Sequence, residues 1–173
     1  MQEITITTRD EAATEGLGRR LAGCLRPGTV LALHGELGAG KTVLARGLAR
    51  GLGILEPVTS PTFTIVQEYR RPDGSWFYHL DMYRINGVPE ALAFGIEEFL
   101  FGPNGVTVVE WPERIAPLLA AAGPAPTGPV ASATGSGPDT AGADVPLTVH
   151  VHLAHAGGDT RTIRLPAGLG FDP

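Results

Sequence analysis

One octapeptide limits what this chain can fold into. Gly35-Glu36-Leu37-Gly38-Ala39-Gly40-Lys41-Thr42 fits G-x-x-x-x-G-K-[ST], the Walker A phosphate-binding pattern. The apolar run Val30-Leu31-Ala32-Leu33 precedes it and reads as a buried strand. Leu44, Leu48 and Leu52 follow at helical spacing, with Ala45 and Ala49 beside them. Strand, glycine loop and helix give the pattern its mechanism. Backbone N–H groups from Glu36, Leu37, Gly38, Ala39, Gly40, Lys41 and Thr42 can converge on an anion at the positive end of the helix dipole. Lys41 is placed to reach the β- and γ-phosphates, and the Thr42 hydroxyl to sit on Mg²⁺. Lys41 is also the only lysine among 13 Lys and Arg residues. The exception stands where a compact, mobile point charge is wanted rather than a planar fork.

The rest of the chain reads as an α/β protein. Ile4-Thr5-Ile6-Thr7 alternates like a half-buried strand, and Thr8-Arg9-Asp10-Glu11 fits a capping box that opens a helix. Ala13, Leu17, Leu21 and Leu25 mark its buried face, and Cys24 lies on the same helical pattern as a buried thiol. Phe63 to Tyr69 and Trp76 to Leu80 read as a hairpin around Arg71-Pro72-Asp73-Gly74. Pro89 to Leu100 suggests one or two short helices, Val106 to Val109 a buried strand, and Pro112 the start of a helix to about Leu119. Leu147 to Leu153 and Thr160 to Leu165 form a second candidate hairpin. The expected architecture is a central, mostly parallel sheet flanked by helices, with antiparallel hairpin additions. Residues 1–120 form the core and 147–173 complete the same domain. Between them, 121–146 is almost wholly Ala, Gly, Pro, Ser and Thr and reads as a disordered insert.

Composition excludes several classes of function. A net charge of −5 without any basic block disfavours strong autonomous binding to nucleic acid. One cysteine excludes an internal disulfide. The N-terminal residues carry no signal pattern and no apolar run approaches spanning length, so the chain reads as cytoplasmic, without a membrane partner. His150, His152 and His155 lack a cysteine or acid at zinc-site spacing and read as solvent-facing strand histidines.

A phosphate loop needs an acid for its metal, delivered by the end of a neighbouring strand. Asp81 ends one apolar run and Glu110 another. Glu110 follows the more uniformly apolar strand and is assigned with Thr42 to Mg²⁺, directly or through water. Asp81 is then the group that orients or deprotonates the attacking water. The sequence carries no distances, so these two roles can be exchanged. Ser60 and Thr62, in Thr59-Ser60-Pro61-Thr62, offer hydroxyls that could sense a γ-phosphate or its metal, or simply enter a strand through a Pro turn. Trp111 adjoins Glu110 and can line the nucleotide pocket, face a partner or pack as core.

Four segments together resemble the TsaE (YjeE) family of small bacterial P-loop ATPases. They are Gly35 to Thr42, Ser60-Pro61-Thr62-Phe63, His79-Leu80-Asp81-Met82-Tyr83-Arg84 and Val109-Glu110-Trp111-Pro112-Glu113. The resemblance covers roughly residues 1–119. It implies a P-loop NTPase fold and a weak, partner-dependent ATP hydrolase. Such a protein supports threonylcarbamoyladenosine formation on tRNAs that read codons beginning with A. It implies binding to the TsaB–TsaD pair, with tRNA met only through that complex. It also implies magnesium ligands at Thr42 and Glu110, a need for Asp81 in hydrolysis, and an adenine near Asp10. The alternative is a P-loop small-molecule or nucleoside kinase, but no arginine cluster between Pro89 and Pro112 supplies an acceptor lid. A guanine-reading N-K-x-D is absent.

Overall fold

The structure is a computed structural model that describes residues 2–102, 104–121 and 147–171. Its strands are β1 (Glu3–Thr8), β2 (Thr29–His34), β3 (Val66–Arg70), β4 (Trp76–Asp81), β5 (Gly105–Glu110), β6 (Leu147–His155) and β7 (Arg161–Pro166). The helices are α1 (Glu11–Leu21), α2 (Lys41–Gly51), α3 (Val88–Ala93), α4 (Glu97–Leu100) and α5 (Ala116–Ala121). The strands form one seven-stranded sheet in the order β1-β7-β6-β2-β5-β4-β3. The four inner strands β6, β2, β5 and β4 run parallel, and antiparallel strands flank them on both sides. Strands covered on both faces need apolar residues throughout. Accordingly β5 is buried at every position and β2 at all but His34. The edge strand β3 buries only Tyr69.

Helices α1 and α2 pack together on one face of the sheet. Leu17, Leu21, Leu44 and Leu48 meet Leu31, Leu33, Val108 and Val151 there. The other face packs Val30, Ala32, Leu80 and Val109 against Ala91, Leu100 and Leu119 from α3, α4 and α5. Two glycines let α1 and α2 touch backbone to backbone. A Cβ on Gly18 would strike the Leu44 carbonyl, and one on Gly47 the Glu15 carbonyl.

Several local expectations are corrected. The N-cap of α1 is Asp10, whose side chain accepts from Ala13 N at 2.7 Å. Thr8 belongs to β1, because it pairs with Arg161 of β7, and its hydroxyl meets that of Thr14 at 2.7 Å. The strand after Pro61 begins only at Val66. Thr64 N and Ile65 N both bond back to the Pro61 carbonyl, which closes a turn, and Ile65 takes φ 69°. Cys24 sits half-buried in a 3-10 turn (Ala22–Cys24) beyond the end of α1. Pro112 opens a 3-10 turn, Pro112–Ile115, before α5 begins. The expected insert lies, beyond Ala121, outside the described residues. Among the described residues no helix is long and apolar enough to cross a membrane.

Candidate nucleotide site

Parallel strands present their C-terminal ends on one side of the sheet, and loops gather there. β2 ends at His34 and leads into the glycine loop, with β5 beside it and β4 beyond. Asp81 and Glu110, the last residues of β4 and β5, are register partners. Side chains two apart share a strand face. Phe77, His79 and Asp81 therefore point the same way, as do Val106, Val108 and Glu110. Phe77, Val106 and Val108 pack in the cluster that holds α2. The two acids thus end up on the face that carries the N-terminus of α2.

The loop itself turns through glycines at φ 146° (Gly35), 78° (Gly38) and 99° (Gly40). Gly35 has a second reason to be glycine, since a Cβ there would run into the Leu153 carbonyl of β6. Gly40 caps α2 without any side chain, so the first N–H groups of the helix have no side-chain cap. Lys41 folds back over the loop. Its ammonium donates to the Gly35 carbonyl at 2.6 Å and the Glu36 carbonyl at 2.9 Å. Burial pulls the Lys41 pKa down, opposed by the charges of Glu110, Glu113 and Asp81. Leu37 is exposed.

The two acids have different partners. Thr42 Oγ1 donates to Glu110 Oε1 at 2.8 Å, and His79 Nε2 lies 2.8 Å from the same oxygen. Asp81 Oδ2 accepts from Ser60 Oγ at 2.8 Å and Thr62 Oγ1 at 2.6 Å, while Oδ1 accepts from Tyr83 N at 2.9 Å. Both acids are almost fully buried, at 2 % and 3 % exposed. Trp111, just past Glu110, adopts φ 59° and lays its ring under the Lys41 ammonium and beside Tyr83. Thr42 and Glu110 present only oxygen, which suits magnesium, a hard cation commonly held by one or two carboxylates plus phosphate.

Two hollows open at the loop. One of about 350 Å³ is lined by Lys41, Thr42, Thr62, Asp81, Glu110 and Trp111. The other, of about 490 Å³, lies across Gly38 and Gly40, between Asp10 and Thr14 of the α1 start and Asp159 and Arg161 of the β6–β7 hairpin. All the residues assigned from the sequence to nucleotide, metal or catalysis therefore border one of these hollows or belong to the loop between them. His79, Asp159 and Arg161 were not foreseen. His79 could have been suspected from its spacing of two from Asp81. The hairpin residues give no local signal. Of the histidines, His150 and His155 are exposed, while His152 is half-buried and stacks on His34 with ring centres 4.5 Å apart.

The family model described as "Threonylcarbamoyl adenosine biosynthesis protein TsaE" matches residues 8–127. The chain belongs to the TsaE family. Proteins named tRNA threonylcarbamoyladenosine biosynthesis protein TsaE are similar to it. That of Synechocystis is 50 % identical over 116 residues, which is 63 % of this chain and 70 % of the relative. That of Bacillus subtilis is 42 % identical over 116 residues, 66 % of this chain and 70 % of the relative. Among solved structures, Bacillus subtilis YdiB superimposes with a TM-score of 0.64 at 30 % identity, over 96 % of this chain and 86 % of that one. The family match spans the loop, both acids and Trp111. The YdiB likeness covers nearly the whole chain and agrees with a P-loop fold.

Proposed function

We propose that this TsaE-family chain binds ATP with magnesium, hydrolyses it weakly, and supports threonylcarbamoyladenosine modification of tRNA by acting on the TsaB–TsaD pair. Its main support is the register pairing of Asp81 with Glu110 at the mouth of the glycine loop, with the Thr42 hydroxyl already on Glu110. In this reading Lys41 leaves the Gly35 and Glu36 carbonyls for the β- and γ-phosphates, and the loop N–H groups take the remaining phosphate oxygens. Thr42 and Glu110 hold the metal. Bound magnesium supplies charge neutralisation across the phosphates. The nucleoside lies towards Asp10 and Arg161, in the larger hollow.

Slow hydrolysis has a physical basis here. Asp81 is the group to orient the attacking water, yet both its oxygens are engaged by Ser60, Thr62 and Tyr83 N. Until the Ser60–Thr62 segment lets go, the carboxylate has little capacity left for water. A partner that moves this segment would raise turnover. The net charge of −5 fits a protein that leaves tRNA to its partners in the cytoplasm.

The deciding experiment measures ATP hydrolysis by the full chain with and without TsaB and TsaD. Slow turnover alone and a changed rate with the pair is the expected result. Rapid phosphate transfer to a small acceptor, with no binding to the pair, would make the chain a kinase instead.

A further inference from the structure

His79 is completely buried on β4, two residues before Asp81 and two register pairs behind the two acids. Its Nε2 lies 2.8 Å from Glu110 Oε1, while Nδ1 has no hydrogen-bond partner. Oε1 already accepts the Thr42 hydroxyl hydrogen. A carboxylate oxygen can accept from both neighbours, so the ring hydrogen belongs on Nε2. A hydrogen on Nδ1 would be a buried donor without an acceptor, which folded proteins rarely tolerate. Nε2 is therefore the nitrogen that donates to Glu110 Oε1. Two donors now hold Oε1. Oε2 carries no hydrogen bond among the described residues, and Glu110 lines the hollow beside Lys41 and Thr42.

We propose that His79 is the positioning residue for Glu110: it holds Oε1 from inside the sheet so that Oε2 alone is presented to magnesium or to a water on it. This rests on the magnesium–nucleotide reading above. The Thr42 hydroxyl cannot do the work by itself, because its oxygen is also offered to the metal. Among the described residues no other side chain donates to Glu110. Partners that orient a metal-binding carboxylate in this way typically carry about 10–100-fold of metal affinity.

The test is the magnesium dependence of nucleotide binding by the full chain, read with a fluorescent ATP analogue. In His79→Leu, the magnesium concentration for half-effect should rise about 10–100-fold, while affinity in EDTA stays at the wild-type value. His79→Gln keeps an N–H at similar reach and should recover most of the loss. In wild-type protein without nucleotide, ¹⁵N spectra should show a protonated Nε2. Wild-type magnesium dependence in both variants would overturn the role of His79, as would an unprotonated Nε2. If His79→Leu does not fold, His79→Gln decides through the same titration against a folded His79→Asn, whose amide cannot reach Oε1. A wild-type protein indifferent to magnesium would instead overturn the parent reading and this proposal with it.

Discussion

The Lys41 ammonium lies 3.9 Å from the centre of the Trp111 ring. Without phosphate the lysine is thus held by one aromatic face and two carbonyls, those of Gly35 and Glu36. A cation on a ring face is worth about 0.5–2 kcal/mol, and a hydrogen bond to a charged group about 1.5–3 kcal/mol. A polyphosphate offers several full charges and can displace these contacts. ATP should therefore change the emission of Trp111. The other tryptophan, Trp76, stacks on Tyr78 at the far end of β4 and should stay silent. Trp111→Phe should abolish the response. Lys41→Ala should weaken nucleotide binding by about 2–5 kcal/mol, roughly 30-fold or more. An unaltered titration in Lys41→Ala would mean that nucleotide binds elsewhere.

Asp81 should matter to turnover more than to binding. It is buried, its hydrogen bonds go to Ser60, Thr62 and Tyr83 N, and among the described residues none joins it to the glycine loop. Asp81→Asn keeps the shape and removes the charge. ATP hydrolysis with TsaB and TsaD present should fall about 10²–10⁴-fold, the usual weight of a general base. Nucleotide affinity should change little. Equal losses in both quantities would assign Asp81 to the metal rather than to the water.

Much of this site could be read from the chain because its logic is local. The glycine loop lies between an apolar run and a helical repeat, and both acids end apolar strands. The pairing of Glu110 with Thr42, 68 positions apart, rested only on how apolar its strand is and stayed exchangeable with Asp81, while the grip of Ser60 and Thr62 on Asp81 from another loop was not legible. The helix cap shows the same limit. Thr8 and Asp10 both suit a cap, but β7 claims Thr8 for the sheet from far along the chain. Phe63 to Ile65 has strand-forming residues, yet the Pro61 carbonyl draws two N–H groups into a turn and leaves Phe63 exposed under Arg84. His79 shares a strand face with Asp81 by spacing alone, but its contact with Glu110, and the place of Arg161 beside the loop, depend on strands distant in sequence lying side by side.

Two glycines on adjacent helices should respond to alanine in opposite directions. Gly16 of α1 has open space where a Cβ would stand. Gly16→Ala should stabilise by about 0.5–1 kcal/mol through helix propensity. Gly47→Ala gains the same propensity but drives a methyl group into the Glu15 backbone. Overpacking of this kind costs about 1–3 kcal/mol or more, so the steric effect wins. At this chain length about 2–4 °C accompanies each kcal/mol. Thermal melts should show Gly16→Ala rising and Gly47→Ala falling by several degrees. A rise in both would show that α1 and α2 are not in backbone contact.

Stability should also fall in mild acid, for a reason located in His34. Its ring stacks on His152, and its Nε2 lies 2.9 Å from His150 Nδ1, with Glu113 Oε2 3.9 Å from its other nitrogen. Burial, then the charges of His152 and His150, lower its pKa from 6.5 to about 4, and Glu113 is too exposed to reverse this. The unfolded chain therefore takes up a proton at this residue before the folded one does. Stability from this group is complete above pH 6.5 and is lost progressively as the pH falls towards 4. His150, whose pKa is also lowered by burial, adds in the same direction. The melting midpoint of the wild type should drop between pH 7 and pH 5, before most carboxylates titrate. His34→Gln should drop less over that interval. Parallel curves for the two proteins would remove His34 as the cause.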